Sequence, residues 1–208
     1  MNALAQFHEM FGACPLLAIL RGVTPGEAEA IGDALVDAGI RIIEVPLNSP
    51  EPFDSIAKLS ARFAGRALIG AGTVLAPADV SRVSAAGGSL VVSPNSDRQV
   101  IAATVAAGMV SAPGFFTATE AFAALAAGAH ALKLFPAEAA SPLVIKALRA
   151  VLPAAVPLIV VGGVTPQSIP DYLAAGANGF GLGGGLYRPG DSGQDVRDRA
   201  IAYIEALR

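Results

Sequence analysis

The sequence predicts one α/β domain over residues 1–208, a single (β/α)8 TIM barrel with an N-terminal capping helix. Three observations carry that expectation. Short β-rich apolar runs recur eight times, Ala-rich segments of helical length separate them, and Ala-Gly pairs punctuate the boundaries. Repetition of one supersecondary unit at about twenty-residue intervals marks an array of β/α units rather than low-complexity sequence.

The elements follow in order. Residues 3–12 have helical character and precede the first strand, so they are placed as a cap under the barrel. The eight strand runs are LLAIL (16–20), IIEVPL (42–47), LIGAG (68–72), LVVSP (90–94), MVSAP (109–113), ALKLF (131–135), LIVVGG (158–163) and GFGLGG (179–184). They are apolar without strict alternation, as parallel strands covered by helices on both sides should be. Several helices are expected to open at the prolines of VTPGEAEA, LAPADV and VTPQSI, since proline has no N–H to leave unpaired in a first turn. Five are expected to close at Gly39, Gly87, Gly108, Gly128 and Gly176, where glycine can take the left-handed conformation. A doubly wound open sheet is the alternative, but no G-x-G-x-x-G follows the first strand.

Composition narrows the function classes. Of 208 residues 53% are hydrophobic and only 15% charged, so much of the chain must be buried. Mean hydropathy is +0.57, the net charge −3 and the pI about 5.3. No basic run or basic-aromatic patch is present, which argues against nucleic acid as a partner. Cys14 is the single cysteine, so an intrachain disulfide or thiolate metal cluster is excluded. The first twenty residues lack a basic n-region and carry Glu9, unlike a secretory signal. The uncharged stretch between Arg98 and Glu120 is broken by Gly108, Pro113 and Gly114, unlike a membrane span. A cytoplasmic protein without a membrane partner is the expectation.

Barrel enzymes build their sites at the C-terminal ends of the strands. Three of the apolar runs carry a charge there: Arg21 after strand one, Glu44 in strand two and Lys133 in strand six. Structural ion pairs are the bland explanation of any one of them. Together they suit one reaction. A lysine among Leu132, Leu134 and Phe135 is desolvated, which disfavours its ammonium form. A neutral amine attacks ketones and forms an iminium that withdraws electrons. Glu44 can move protons, and Arg21 offers a planar fork to a carboxylate or phosphate. The other two lysines, Lys58 and Lys146, fall on polar helix faces. Glycines ending strands seven and eight (VVGGV and GLGGG) place side-chain-free N–H groups where barrels of this class bind phosphate. His8 and His130 lie away from strand C-terminal ends, so a histidine metal site is not expected.

The segments IEVPLNSP (43–50), IGAGTVL (69–75), VSPN (92–95), LKLFPAEA (132–139) and VGGVTP (161–166) resemble the 2-keto-3-deoxy-6-phosphogluconate/galactonate aldolase family over nearly the whole chain. The resemblance implies a class I mechanism without metal or other cofactor, and a homotrimer. It implies that Lys133 of the K-[FLI]-F-P motif forms a Schiff base and that Glu44 transfers protons. It further implies that Arg21 and Thr73 contact the carboxylate and keto end. Pro94 and Phe135 would shape the pocket, and Gly162, Gly163, Gly183 and Gly184 would receive phosphate. Gluconate-type members usually carry an arginine in a strand-two TLRT segment and threonine before the strand-seven Gly-Gly. This chain has Leu47-Asn48-Ser49 and Val161, which resemble the galactonate-type members. Gly184 stands where many members have a serine. The expected substrate is therefore a phosphorylated 2-keto-3-deoxy acid of galactonate configuration, with the gluconate epimer as the alternative. Two rivals remain from other classes: a phosphosugar isomerase or epimerase, which would need paired proton-transfer groups or metal ligands, and a non-catalytic phosphosugar-binding barrel.

Overall fold

A computed structural model describes residues 2–208. Nine parallel strands form one sheet: β1 (Leu16–Ile19), β2 (Ile42–Pro46), β3 (Leu68–Gly72), β4 (Leu90–Val92), β5 (Val110–Ala112), β6 (Gly114–Phe115), β7 (Leu132–Leu134), β8 (Leu158–Val161) and β9 (Gly179–Leu182). Their order is β5-β4-β3-β2-β1-β9-β8-β7-β6. The expected (β/α)8 barrel is thus present, with one amendment: its fifth strand is two pieces. β5 pairs only with β4 and β6 only with β7. Pro113, which has no N–H to donate, sits between them. Its carbonyl still accepts from the Lys133 N–H at 2.9 Å, and Ser111 O accepts from His130 N at 2.9 Å, so the curved sheet closes on itself.

Helices alternate with the strands: α1 (Ala3–Ala13), α2 (Ala28–Ala38), α3 (Pro52–Arg62), α4 (Pro77–Ala85), α5 (Arg98–Ala106), α6 (Ala118–Ala126), α7 (Pro142–Arg149), α8 (Ile169–Ala174) and α9 (Gly193–Glu205). All five glycines expected to end helices have positive φ, from 72° at Gly108 to 114° at Gly39. The proline starts are less regular. Pro77 opens α4 as expected, but Pro25 and Pro166 sit in turns, and α2 and α8 begin three residues later at Ala28 and Ile169. Glu27 explains the first delay, because its carboxylate accepts from the Thr24 N–H at 2.9 Å and ties down the turn. No described helix is long and apolar enough to cross a membrane.

Side chains alternate across each strand, and the two faces bury different sets. One face packs under the helices, with Leu132, Leu134, Ile43, Val45 and Val160 in that layer. The other fills the barrel with Leu17, Ile19, Ile42, Leu68, Leu90, Ile159 and Val161. Helix α1 plugs the bottom with Phe7, Met10 and Phe11. A Cβ on Gly179 would come within 2.7 Å of Phe11 Cε2, so the glycine admits the plug.

Candidate active site

The alternation that fills the barrel also builds its mouth. Continuing inward-facing positions upward on β2 gives Ile42 then Glu44, and on β7 Ala131 then Lys133 then Phe135. On β1 it gives Ile19 then Arg21, and on β8 Val161 then Gly163. The lower layers are apolar, and the charges enter only at the top, where Brownian access from solvent begins. Lys133 is 7% exposed and Glu44 only 1%. Leu132 and Leu134 do not shelter the lysine, because they face the helices. Its dry surroundings come instead from the barrel interior, including Ile159, its register partner on β8, and Phe135, whose ring centroid lies 4.9 Å from Nζ.

Lys133 is not consumed by an ion pair. The salt bridges among the described residues all use arginine, and none within 4.0 Å involves Lys133. Burial, the largest influence, pulls its ammonium below the ordinary lysine value, Glu44 opposes this and Arg21 adds to it. Burial likewise pushes the Glu44 carboxyl up to about 7, against the charges of Lys133 and Arg21. Glu44 and Lys133 therefore feel one another, and both feel Arg21. Glu44 Oε2 is buried and has no hydrogen-bond partner. An unpaired buried oxygen of this kind costs free energy and calls for an explanation, and a carboxyl that titrates near neutrality is suited to proton transfer in either direction.

Glycine makes room for that carboxyl. Above Leu68 the inward positions of β3 are Gly70 and Gly72, and a Cβ on Gly72 would overlap both Glu44 carboxyl oxygens. Thr73, the next residue, takes φ 56°. A threonine in the left-handed region is strained, and such strain is held by its surroundings. Pro94 follows β4, and its backbone closes on Gly114, the register partner of Lys133. Ser93 fixes this corner by donating its hydroxyl to Val74 O at 2.8 Å. Thr73 thus adjoins the glycine that faces Glu44, and Pro94 packs on the register partner of Lys133.

A cavity of about 250 Å³ opens at the same end of the barrel, lined by Arg21, Phe135, Val161, Gly162, Gly163, Gly183 and Gly184 among others. All four predicted phosphate glycines are brought together there with Arg21. A Cβ on Gly183 or Gly184 meets nothing within 4 Å, so packing does not demand glycine at 184 and a serine would fit. Gly162 and Gly163 differ: both have positive φ, 118° and 62°. Arg21 is positioned by Asn48, whose Oδ1 accepts from Nη1 at 2.7 Å. One residue on, the Ser49 hydroxyl accepts from the Gly22 N–H at 2.9 Å. The Asn48-Ser49 segment thus orients the loop after β1. Lys58 and Lys146 are exposed on α3 and α7, as expected. Cys14 is half-buried before β1, where burial raises its thiol pKa. Sequence reasoning missed the Arg21–Asn48 bond, the Gly72 contact and Glu138, which lines the same cavity. Only Glu138 had a visible signal, its place in the LKLFPAEA segment.

Fold and site together define a (β/α)8 barrel whose mouth presents a buried lysine, a buried carboxyl and a glycine-lined cavity. The chain belongs to the KDPG and KHG aldolase family, whose sequence model matches residues 8–197. It is 52% identical to a protein of Rhizobium meliloti described as a probable 2-dehydro-3-deoxy-6-phosphogalactonate aldolase, over 92% of this chain and 91% of that one. It is 48% identical to the 2-dehydro-3-deoxy-6-phosphogalactonate aldolase of Escherichia coli, over 93% and 95%. Among solved structures, one described as native KDPGal superposes with a TM-score of 0.91, 48% identity and coverage of 92% and 93%. The KDPG aldolase of Legionella pneumophila, with pyruvate captured as a covalent carbinolamine, superposes with a TM-score of 0.80 at 26% identity, covering 95% of each chain.

Proposed function

We propose that this protein is a class I aldolase that cleaves 2-dehydro-3-deoxy-6-phosphogalactonate to pyruvate and D-glyceraldehyde 3-phosphate. The observation that carries the reading is Lys133, buried in the barrel mouth without an acidic partner, beside a carboxyl held near neutrality. The neutral amine adds to the C2 ketone, and the carbinolamine loses water to give an iminium. Glu44, directly or through one water, takes the C4 hydroxyl proton. The C3–C4 bond breaks, its electrons enter the iminium to form an enamine, and the aldehyde leaves. Protonation at C3 and hydrolysis release pyruvate and restore Lys133. Arg21 and Thr73 hold the carboxylate and keto end, Pro94 and Phe135 shape the pocket, Val161 contacts the substrate, and the four glycines receive the phosphate end.

The galactonate configuration is favoured by the names of the two relatives near 50% identity and by Val161 with the Leu47-Asn48-Ser49 segment. The test is cleavage of the galactonate and gluconate epimers side by side, followed by pyruvate release. A clear preference for the galactonate epimer is the expected result. Equal rates would remove the stereochemical choice, and no cleavage of either would remove the aldolase. The assembly proposed is a homotrimer. A superposing neighbour (TM-score 0.91, 48% identity, covering 93% of this chain and 72% of that one) is a cage designed by fusing symmetric oligomeric domains. Exposed Phe116, Phe122 and Leu143 leave apolar surface for contact between copies. Light scattering on the purified chain would give the mass directly.

A further inference from the structure

The cavity that would take the phosphate already holds an anion of the protein's own. Glu138 belongs to the single 3-10 turn Ala137–Ala139 that follows β7, five residues beyond Lys133. Its side chain lies across the Gly162-Gly163 turn. A Cβ on Gly162 would overlap Oε2 and approach Cδ to 2.8 Å, while one on Gly163 would lie 2.8 Å from Cγ and 3.6 Å from Oε1. Glu138 lines the same cavity as Arg21, Gly183 and Gly184. Among the described residues no ion pair involves it, and the residue is exposed, so its carboxylate is free to swing away.

We propose that Glu138 is a gate of this cavity, competing with the substrate's phosphate for the Gly162-Gly163 turn. This rests on the reading of that cavity as the phosphate end. Two anions in contact at one turn repel each other. Entry of the phosphate therefore displaces the Glu138 carboxylate. Its return to the turn helps expel the phosphorylated aldehyde after cleavage.

The test is calorimetric titration of wild type, Glu138→Gln and Glu138→Ala with inorganic phosphate, at low and high ionic strength. Both variants should bind phosphate more tightly than wild type, by about fivefold or more at low salt, because a like-charge neighbour has been removed. The gap should narrow at high salt, where charge repulsion is screened. A structural role alone would not produce that salt dependence. Unchanged or weaker binding in either folded variant overturns the proposal. Tightening confined to Glu138→Gln also overturns it, since the new amide and not the lost charge would then be responsible. If neither variant shows a cooperative melt, the side chain is a prop for the turn and the gate is rejected. Failure of the aldolase reading looks different: wild type would not be trapped by pyruvate and borohydride, whatever its phosphate affinity.

Discussion

The Glu44 carboxyl occupies the space that a side chain at Gly72 would fill, and both carboxyl oxygens would clash with a Cβ built on that glycine. Gly72 is thus part of how the acid is aimed. Gly72→Ala should push Glu44 out of line and slow turnover about 10²–10⁴-fold, the range for losing acid–base help. Borohydride trapping of pyruvate should persist, because Lys133 is untouched. Steady-state kinetics together with trapping separate the two effects, and near-normal turnover would show that the contact is incidental.

Lys133→Ala should abolish trapping altogether. The other two lysines, Lys58 and Lys146, are exposed on helices α3 and α7 and not on a strand of the barrel. Mass spectrometry after pyruvate and borohydride reads this directly. Modification of the variant would assign the covalent step elsewhere.

A carboxyl raised to about 7 should write itself into the pH profile. Cleavage needs Glu44 deprotonated, so kcat/KM should fall about tenfold per unit as pH drops below roughly 7, the behaviour of an essential base. Lys133 must also shed its proton, and its lowered pKa brings that rise below the ordinary lysine range. Glu44→Gln should erase the limb near 7 along with most of the rate. A limb that survives in that variant would belong to another group.

The same group costs stability, with a definite sign. Its folded pKa of about 7 exceeds the ordinary 4.5, so between those values the folded state binds more protons than the unfolded one. Stability contributed by Glu44 is therefore lost as pH rises through that window. Glu44→Gln should melt a few degrees higher than wild type at pH 8 and show little difference at pH 4. Such a trade of stability for function is common at active sites. Equal melting temperatures at pH 8 would mean that Lys133 and Arg21 fully offset the burial.

Asn48 offers a test at the substrate end. Removing the acceptor for Arg21 should free the guanidinium. Asn48→Ala is expected to raise KM for the keto acid several-fold while kcat changes less, the mark of lost binding common to ground and transition states. A fall in kcat at constant KM would place Asn48 in the chemistry instead.

Much of this was legible in the sequence for physical reasons. Eight apolar runs, the Ala-Gly helix ends and the lysine in LKLFP follow local rules of burial and backbone conformation, and they placed the barrel and its charges. What was not legible depends on pairs distant in the chain. Only the closed sheet sets Gly72 against Glu44 or lays Glu138 across Gly162. The surroundings of Lys133 were misjudged for the same reason. Neighbours in sequence, Leu132 and Leu134, alternate to the opposite face, and the real walls come from β8 and the barrel interior.

Pro113 divides the fifth staple of the barrel into two short ladders, and the amide of Lys133 hangs from its carbonyl. The ring of strands is therefore held least continuously along one vertical line, immediately beside the reactive amine. Amide hydrogen exchange should detect it as the first place where the cylinder breathes. Loosening there would reach the lysine before any other part of the mouth.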